Sequence, residues 1–513
     1  MESDTNEGED ASMECEKGKF IVAVDEGTTS TRACLYDVSK KKFVLSRSAS
    51  IAQIYPQPSF VEENANEIYA NTLSVLIEMI ESAPDLSSVA GIGITNQRET
   101  VVAWDRKSGK PLYNAIIWQC RRTSEEMEEL SATHGEEIRR KTGLVMDAYF
   151  SASKIRWLIR NVPAIAEKLS RGEVCFGTVD SFLIYKLTDG KAFVTDATNA
   201  SRTMLFDLTT LDYDDGLLTL FGIPRDSLPR VVSCDERVGE FHYRGKAIPV
   251  CGVAGDQQAA LFGQACVRAG MSKITYGTGL FMLCNTGETP FFSRKGLITT
   301  VAAKIGKKVT YAFEGSVFNA GSTVQWLRDH LGFFASSQES EGLAESVPDN
   351  GGVYLVPAFT GLGAPYWKGD ARGMISGLTR ASTKAHITRA ALEAMAYSAK
   401  DLSDAMTEES GVNIDVIRAD GGASANDFLM RFQANVLGVA IDRPQEKEST
   451  ALGAAFLCGI GLGLIDPSAL DEYRLRERLF SPDREEKSVK TYRGFYEGWK
   501  AAVDQCVYDG KKS

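Results

Sequence analysis

The run Asp25-Glu26-Gly27-Thr28-Thr29-Ser30-Thr31-Arg32 places an acid at the end of an apolar stretch, then a glycine, four hydroxyls and a cation. These residue types suit a phosphate chain. Gly27 lets the backbone approach closely, Thr28, Thr29 and Ser30 donate to phosphoryl oxygens, Arg32 adds charge, and Asp25 offers a hard oxygen to Mg²⁺. An ordinary hairpin turn is the plainer reading of the same residues. A second acid, Asp256, follows the apolar run from Ile248 and the small residues Gly252 to Gly255. It can accept a hydroxyl proton as that oxygen attacks ATP, with Gln257 orienting another hydroxyl; capping a helix is the alternative. Arg98-Glu99 sets a donor beside an acceptor, suited either to reading a polyhydroxyl substrate or to a solvated charged turn. Trp118, Tyr149 and Phe281 are aromatic candidates to cover substrate carbon or simply to fill the core.

Such groups need rigid supports. Alternating and β-branched segments predict strands over 20–25, 33–38, 89–94, 101–104 and 115–118, and Ala65, Ile68, Leu73, Leu76 and Ile80 recur at helical spacing. The second half repeats this grammar. Ser272 to Tyr276 runs into Gly277-Thr278-Gly279, and a strand resumes at Leu280, giving either a second phosphate turn or a hairpin. Ile417 to Asp420 leads into Gly421-Gly422 and Asn426 ahead of a helical pattern over 428–436. Small residues there admit a ribose or purine close to backbone, and Asn426 either contacts the nucleoside or caps the helix.

At 513 residues the chain exceeds one compact core, so an α/β molecule of two domains around a cleft is expected, divided at 262/263. Residues 1–17 carry seven acids against Lys17 alone and read as a disordered acidic tail. A formal charge of −11 argues against a broad nucleic-acid surface. No stretch has the length and apolarity for membrane insertion, and no basic-apolar leader opens the sequence. The ten cysteines and four histidines form no metal-ligand spacing, so reduced thiols and a cytoplasmic location are the expectation.

Over residues 18–510 the sequence closely resembles the FGGY carbohydrate kinases, and among them the members that phosphorylate glycerol. The resemblance is carried by Asp25-Glu26-Gly27-Thr28-Thr29-Ser30, Asn96-Gln97-Arg98-Glu99, Trp118-Gln119, Tyr149 to Leu158, Gly255-Asp256-Gln257-Gln258, Tyr276-Gly277-Thr278-Gly279 and the segment from Gly373 to Glu393. It implies two actin-like (ribonuclease H-like) ATPase domains flanking a catalytic cleft and ATP-dependent formation of sn-glycerol 3-phosphate with release of ADP. It also implies that Arg98, Glu99, Tyr149, Asp256 and Gln257 bind glycerol hydroxyls, that Trp118 and Phe281 line its carbon face, and that Asp256 is the general base. Thr28, Thr29 and Thr278 match phosphate contacts, Gly321 and Gln325 the nucleotide cleft, and Gly422 and Asn426 the adenosine end. Asp25 and Asp256 would hold Mg²⁺, and a homodimer or higher homo-oligomer is implied.

Glu26 departs from the Gln usual at its position and is expected to face solvent or a cation. Two other readings compete. A kinase for another small polyol or ketose would share the ATP turns but not the substrate segments. A noncatalytic nucleotide-switched scaffold would need no polyol pocket.

Overall fold

A computed structural model describes residues 19–509; the acidic segment 1–17 lies outside the described residues. The first lobe is built on β1 (Phe20–Glu26), β2 (Ser30–Asp37), β3 (Lys42–Ser50), β4 (Val89–Asn96), β5 (Arg237–Tyr243) and β6 (Lys246–Gly255), in spatial order β5-β6-β4-β1-β2-β3. β1, β4 and β6 are parallel, while β2, β3 and β5 run antiparallel to their neighbours. Register does the positioning. Asp25 pairs with Thr95, and Asn96 pairs with both Glu26 and Gly255, so three parallel strands end level with one another. The segments that follow them, Gly27 to Thr29, Gln97 to Thr100 and Asp256-Gln257, therefore emerge along one edge, where open α/β sheets bind ligands.

The second sheet comprises β7 (Met271–Tyr276), β8 (Leu280–Gly287), β9 (Ile298–Ile305), β10 (Lys308–Val317), β11 (Val416–Gly421), β12 (Ala440–Pro444) and β13 (Arg476–Phe480), in order β9-β10-β8-β7-β11-β12-β13. Without β9, its strand senses repeat those of the first sheet, and so does its order except at one edge, where β13 follows β12 in the chain whereas β5 precedes β6. β7 corresponds to β1 and β8 to β2, and each hairpin turns on a glycine: the Gly27 N–H donates to Ser30 O at 3.0 Å and the Gly277 N–H to Gly279 O at 2.9 Å.

Helix α1 (Ala65–Glu81) is opened by the Asn64 side chain, which accepts from the Asn66 N–H, and buries Ile68, Val75, Leu76, Met79 and Ile80 beneath the first sheet. Helix α2 (Ser151–Asn161) flanks a smaller sheet formed by 53–54, 62–63, 101–105, 115–116 and 174–178. The strand expected over 115–118 stops at Ile116, because the Trp118 N–H turns to donate to the Thr100 hydroxyl at 3.2 Å. Helix α3 (Asp256–Gly263) leaves the end of β6, and residues 264–270 carry the chain into β7.

Helix α4 (Lys384–Ser410) supports the second sheet, α5 (Asp427–Leu437) follows the glycine-rich segment after β11, and α7 (Glu486–Asp509) packs near the C-terminus. Between them, α6 (Ser449–Gly461) crosses back onto the first sheet. Small residues make that crossing possible: a Cβ on Gly93 would lie 2.3 Å from Ala454 O, and one on Gly453 would lie 1.9 Å from Ala259 O.

Candidate active site

At the end of β1, Asp25 pairs in register with Arg32, whose guanidinium forms an ion pair with Glu448 of the second half of the chain. Lost hydration around the Asp25 carboxyl, reinforced by Asp256 and Glu448 and opposed by Arg32, pushes it up to about 7. Negative charge gathered around Asp25 in this way suits a cation. Thr28 Oγ1 accepts from the Trp118 indole N–H at 2.9 Å, and the Trp118 ring meets Tyr149 edge-on, 5.7 Å between centroids. Thr29 and Ser30 complete the turn, with the Thr29 carbonyl bonded to the Ile51 N–H.

Asp256 is the first residue of α3. Its Oδ1 accepts from the Gln257 N–H at 2.6 Å and meets Arg98 Nε at 2.9 Å, while a third of its side chain stays exposed. Gly255, not Asp256, occupies the cap position. Arg98 and Glu99 do not form a solvated turn: they are 3% and 1% exposed. Arg98 forks onto Glu314 with bonds of 2.6 and 3.2 Å, and Glu99 accepts from Arg202 at 2.5 Å. Glu99 is held at φ +62°, a left-handed conformation costing a non-glycine residue roughly 1 kcal/mol. Its fixed ion pair offsets that cost. Gln257 Oε1 accepts from Lys273 Nζ, which also donates to Thr275, the residue opposite Phe281 across the β7/β8 hairpin. Phe281 thus stands beside the same cluster.

A cavity of about 430 Å³ opens on the second lobe, lined by Thr278, Gly321, Gln325, Gly422 and Asn426 together with Ser340 and Glu341. The start of the helix at Gly321 is stitched to the β7/β8 turn: Gly321 N–H donates to Gly277 O and Ser322 N–H to Thr278 O, both at 3.1 Å. Gly321 is required there, since a Cβ would lie 2.4 Å from Gly277 O. Asn426 does cap α5, its Oδ1 accepting from the Leu429 N–H at 2.9 Å, yet it lines the cavity as well. The two readings of that residue are compatible.

The description "FGGY family of carbohydrate kinases, N-terminal domain" matches residues 20–263, and its C-terminal counterpart matches 272–462. The chain belongs to the FGGY family of carbohydrate kinases. A glycerol kinase of Shewanella pealeana is 50% identical over 493 residues, spanning 94% of this chain and 99% of that protein. The crystal structure of Plasmodium falciparum glycerol kinase with ADP superposes with a TM-score of 0.90 at 37% identity, over 95% of this chain and 98% of that one. A xylulose kinase from Lactobacillus acidophilus shares the fold at TM-score 0.87, with 23% identity over 96% and 99% of the two chains.

Glu26 of this FGGY chain corrects one expectation. It neither faces solvent nor meets a cation: it is fully buried, 3.4 to 3.5 Å from the Gln97 amide nitrogen, which donates at 2.8 Å to Glu63. Burial first, and then Glu63, hold its carboxyl well above the usual range. Its backbone explains the placement, because the Glu26 carbonyl accepts the Gln97 N–H inside the sheet.

Sequence reasoning missed Glu314, Arg202, Gln258 and Lys273. Glu314 had a signal, as a lone acid inside the apolar strand Tyr311-Ala312-Phe313-Glu314-Gly315 must find buried partners. Arg202, between Ser201 and Thr203, had none.

Proposed function

We propose that this FGGY kinase transfers the γ-phosphoryl group of ATP to a terminal hydroxyl of glycerol, giving sn-glycerol 3-phosphate and ADP, between two lobes of actin-like, ribonuclease H-like topology. The carrying observation is the contact of Arg98 Nε with Asp256 Oδ1 at 2.9 Å, which brings a polyol-reading cation to the acid at the head of α3. Near-complete coverage by a glycerol kinase at 50% identity supports the substrate.

Both contacts to Asp256 use Oδ1, leaving Oδ2 to accept the substrate proton. A carboxylate suffices because phosphoryl transfer proceeds through a loose transition state, with the proton leaving late. Arg98, Glu99, Tyr149 and Gln257 would satisfy the three hydroxyls, and Trp118 and Phe281 would cover carbon. An analogue lacking one hydroxyl would leave a buried polar group unpaired. Thr28, Thr29, Ser30, Arg32 and Thr278 would take the phosphates, while Gly321, Gln325, Gly422 and Asn426 would take the nucleoside.

The mutual repulsion of Asp25 and Asp256 fits a hard divalent cation. Mg²⁺ beside these two carboxylates would keep waters and phosphate oxygens as its other ligands. Bound there, it would neutralise charge on the transferring phosphate. Family resemblance further suggests a homodimer acting in the cytoplasm. No helix among the described residues is long and apolar enough to cross a membrane. Sedimentation across protein concentrations tests the dimer, and an unchanging monomer would reject it.

Coupled measurement of ADP and phosphorylated product with glycerol, dihydroxyacetone, erythritol and xylulose tests the activity. Glycerol should give the highest kcat/KM. A preference for xylulose or erythritol would move the chain to another branch of the family, and polyol-independent ATP hydrolysis would favour a nucleotide-switched scaffold.

A further inference from the structure

We propose that Glu314 is a positioning residue for the polyol site: one buried carboxylate on the second sheet holds two of the first-lobe side chains that read the substrate, Arg98 directly and Glu99 through Arg202. The inference rests on the glycerol-phosphorylating reading above. Glu314 lies within β10, in register with Leu283 of β8 and Ile298 of β9, so its backbone is fixed from both sides. Its Oε2 accepts from Arg98 at 2.6 Å, and its Oε1 accepts from Arg98 at 3.2 Å and from Arg202 at 3.1 Å. Arg202 in turn donates to Glu99 at 2.5 Å. Every member is at most 3% exposed, and the two guanidinium groups balance the carboxylates of Glu99 and Glu314.

A guanidinium is a rigid planar fork, so fixing both terminal nitrogens of Arg98 also fixes the direction of Nε, which points at Asp256. Through Arg202 the same carboxylate sets Glu99. Gln258 closes the arrangement from α3, accepting from Arg98 at 3.1 Å and donating at 2.9 Å to Thr300 of β9. Burial opposes the charge on Glu314, but Arg202 and Arg98 bring its carboxyl down to about 2, so the clamp is ionised across the working pH range. The consequence is that polyol recognition depends on the second sheet being seated against the first lobe.

The test compares the full-length parent with Glu314→Gln, which removes the charge and leaves one good acceptor for two cations. Glycerol kcat/KM should fall about 10²-fold, the usual scale for displaced reacting groups, through both a higher glycerol KM and a lower kcat. ADP affinity by calorimetry should stay within about twofold, because the nucleotide cavity does not include this cluster. A purely structural residue would instead lower folded yield and ADP affinity together, with the glycerol KM of the surviving protein unchanged; that result, or parent-like kcat and KM, overturns the proposal. If Glu314→Gln does not melt cooperatively, Glu314→Asp retains the charge but shortens its reach. It should raise glycerol KM about tenfold at unchanged ADP affinity, and a parent-like KM would overturn the proposal. A parent inert toward glycerol removes the underlying reading, whereas an active parent matched by the variant removes this inference alone.

Discussion

The Trp118 indole N–H donates to Thr28 Oγ1 at 2.9 Å, joining the aromatic wall beside Tyr149 to the turn after β1. The proposed polyol wall and phosphate turn are therefore not independent. Trp118→Phe keeps an aromatic ring beside Tyr149 but removes the bond, worth about 1 kcal/mol, or roughly fivefold in a binding constant. Glycerol KM and ATP KM should both rise. Steady-state kinetics with each substrate varied will check this, and an effect on glycerol alone would show that the link carries nothing to the phosphates.

Asp256→Asn removes the proposed base while preserving shape, and should lower glycerol kcat/KM by at least ~10²-fold. Near-parent turnover at saturating glycerol and ATP would take Asp256 out of that role.

Gly321→Ala forces a Cβ to within 2.4 Å of Gly277 O, so the helix start must part from the β7/β8 turn. ATP KM should rise about tenfold or more, with glycerol KM changed less than about twofold. Equal changes in both would indicate that the two lobes distort together.

Asp180 provides a pH test away from the site. Its carboxyl accepts the hydroxyls of Thr178 and Thr195 at 2.5 and 2.7 Å, while burial and then Asp196 push it from the ordinary 3.8 up to about 7. Between those values the folded chain keeps a proton that the unfolded chain has released. Stability from this group is therefore complete below about pH 4 and is lost as pH rises toward 7. Asp180→Asn cannot titrate, so the parent should lose stability relative to the variant across that window in urea melts taken at successive pH values. Parallel profiles would exclude the shift.

Much of the fold was legible because local pattern and final environment agree. The β-branched run ending at Asp25 is a buried central strand, the helical stripe from Ala65 is α1, and the glycines at 27 and 277 do turn hairpins. The candidate residues at the ends of β1, β4 and β6 could be picked out because an acid or cation after an apolar strand is an abrupt change of chemistry. Glu26 is the opposite case: it sits within β1 one position after Asp25, and only its pairing with Asn96 and its packing against Gln97 show which face it occupies. Arg202 and Lys273 gave no local sign, since a cation in a polar stretch reads as surface until a buried carboxylate or amide is seen beside it.

Chain order alone established the strand-and-turn vocabulary and the identity of the acids, because these follow from residue type over a few neighbours, and it pointed to the family, because matching motifs recur in order from Asp25 to Glu393. The pairing of Arg98 with Asp256 and Glu314 spans 158 and 216 positions, and no short-range pattern encodes it. That arrangement was decided by strand register and by β10 packing against the first lobe. A charge can be buried only where distant chain delivers its partner, and that delivery is a property of the folded molecule.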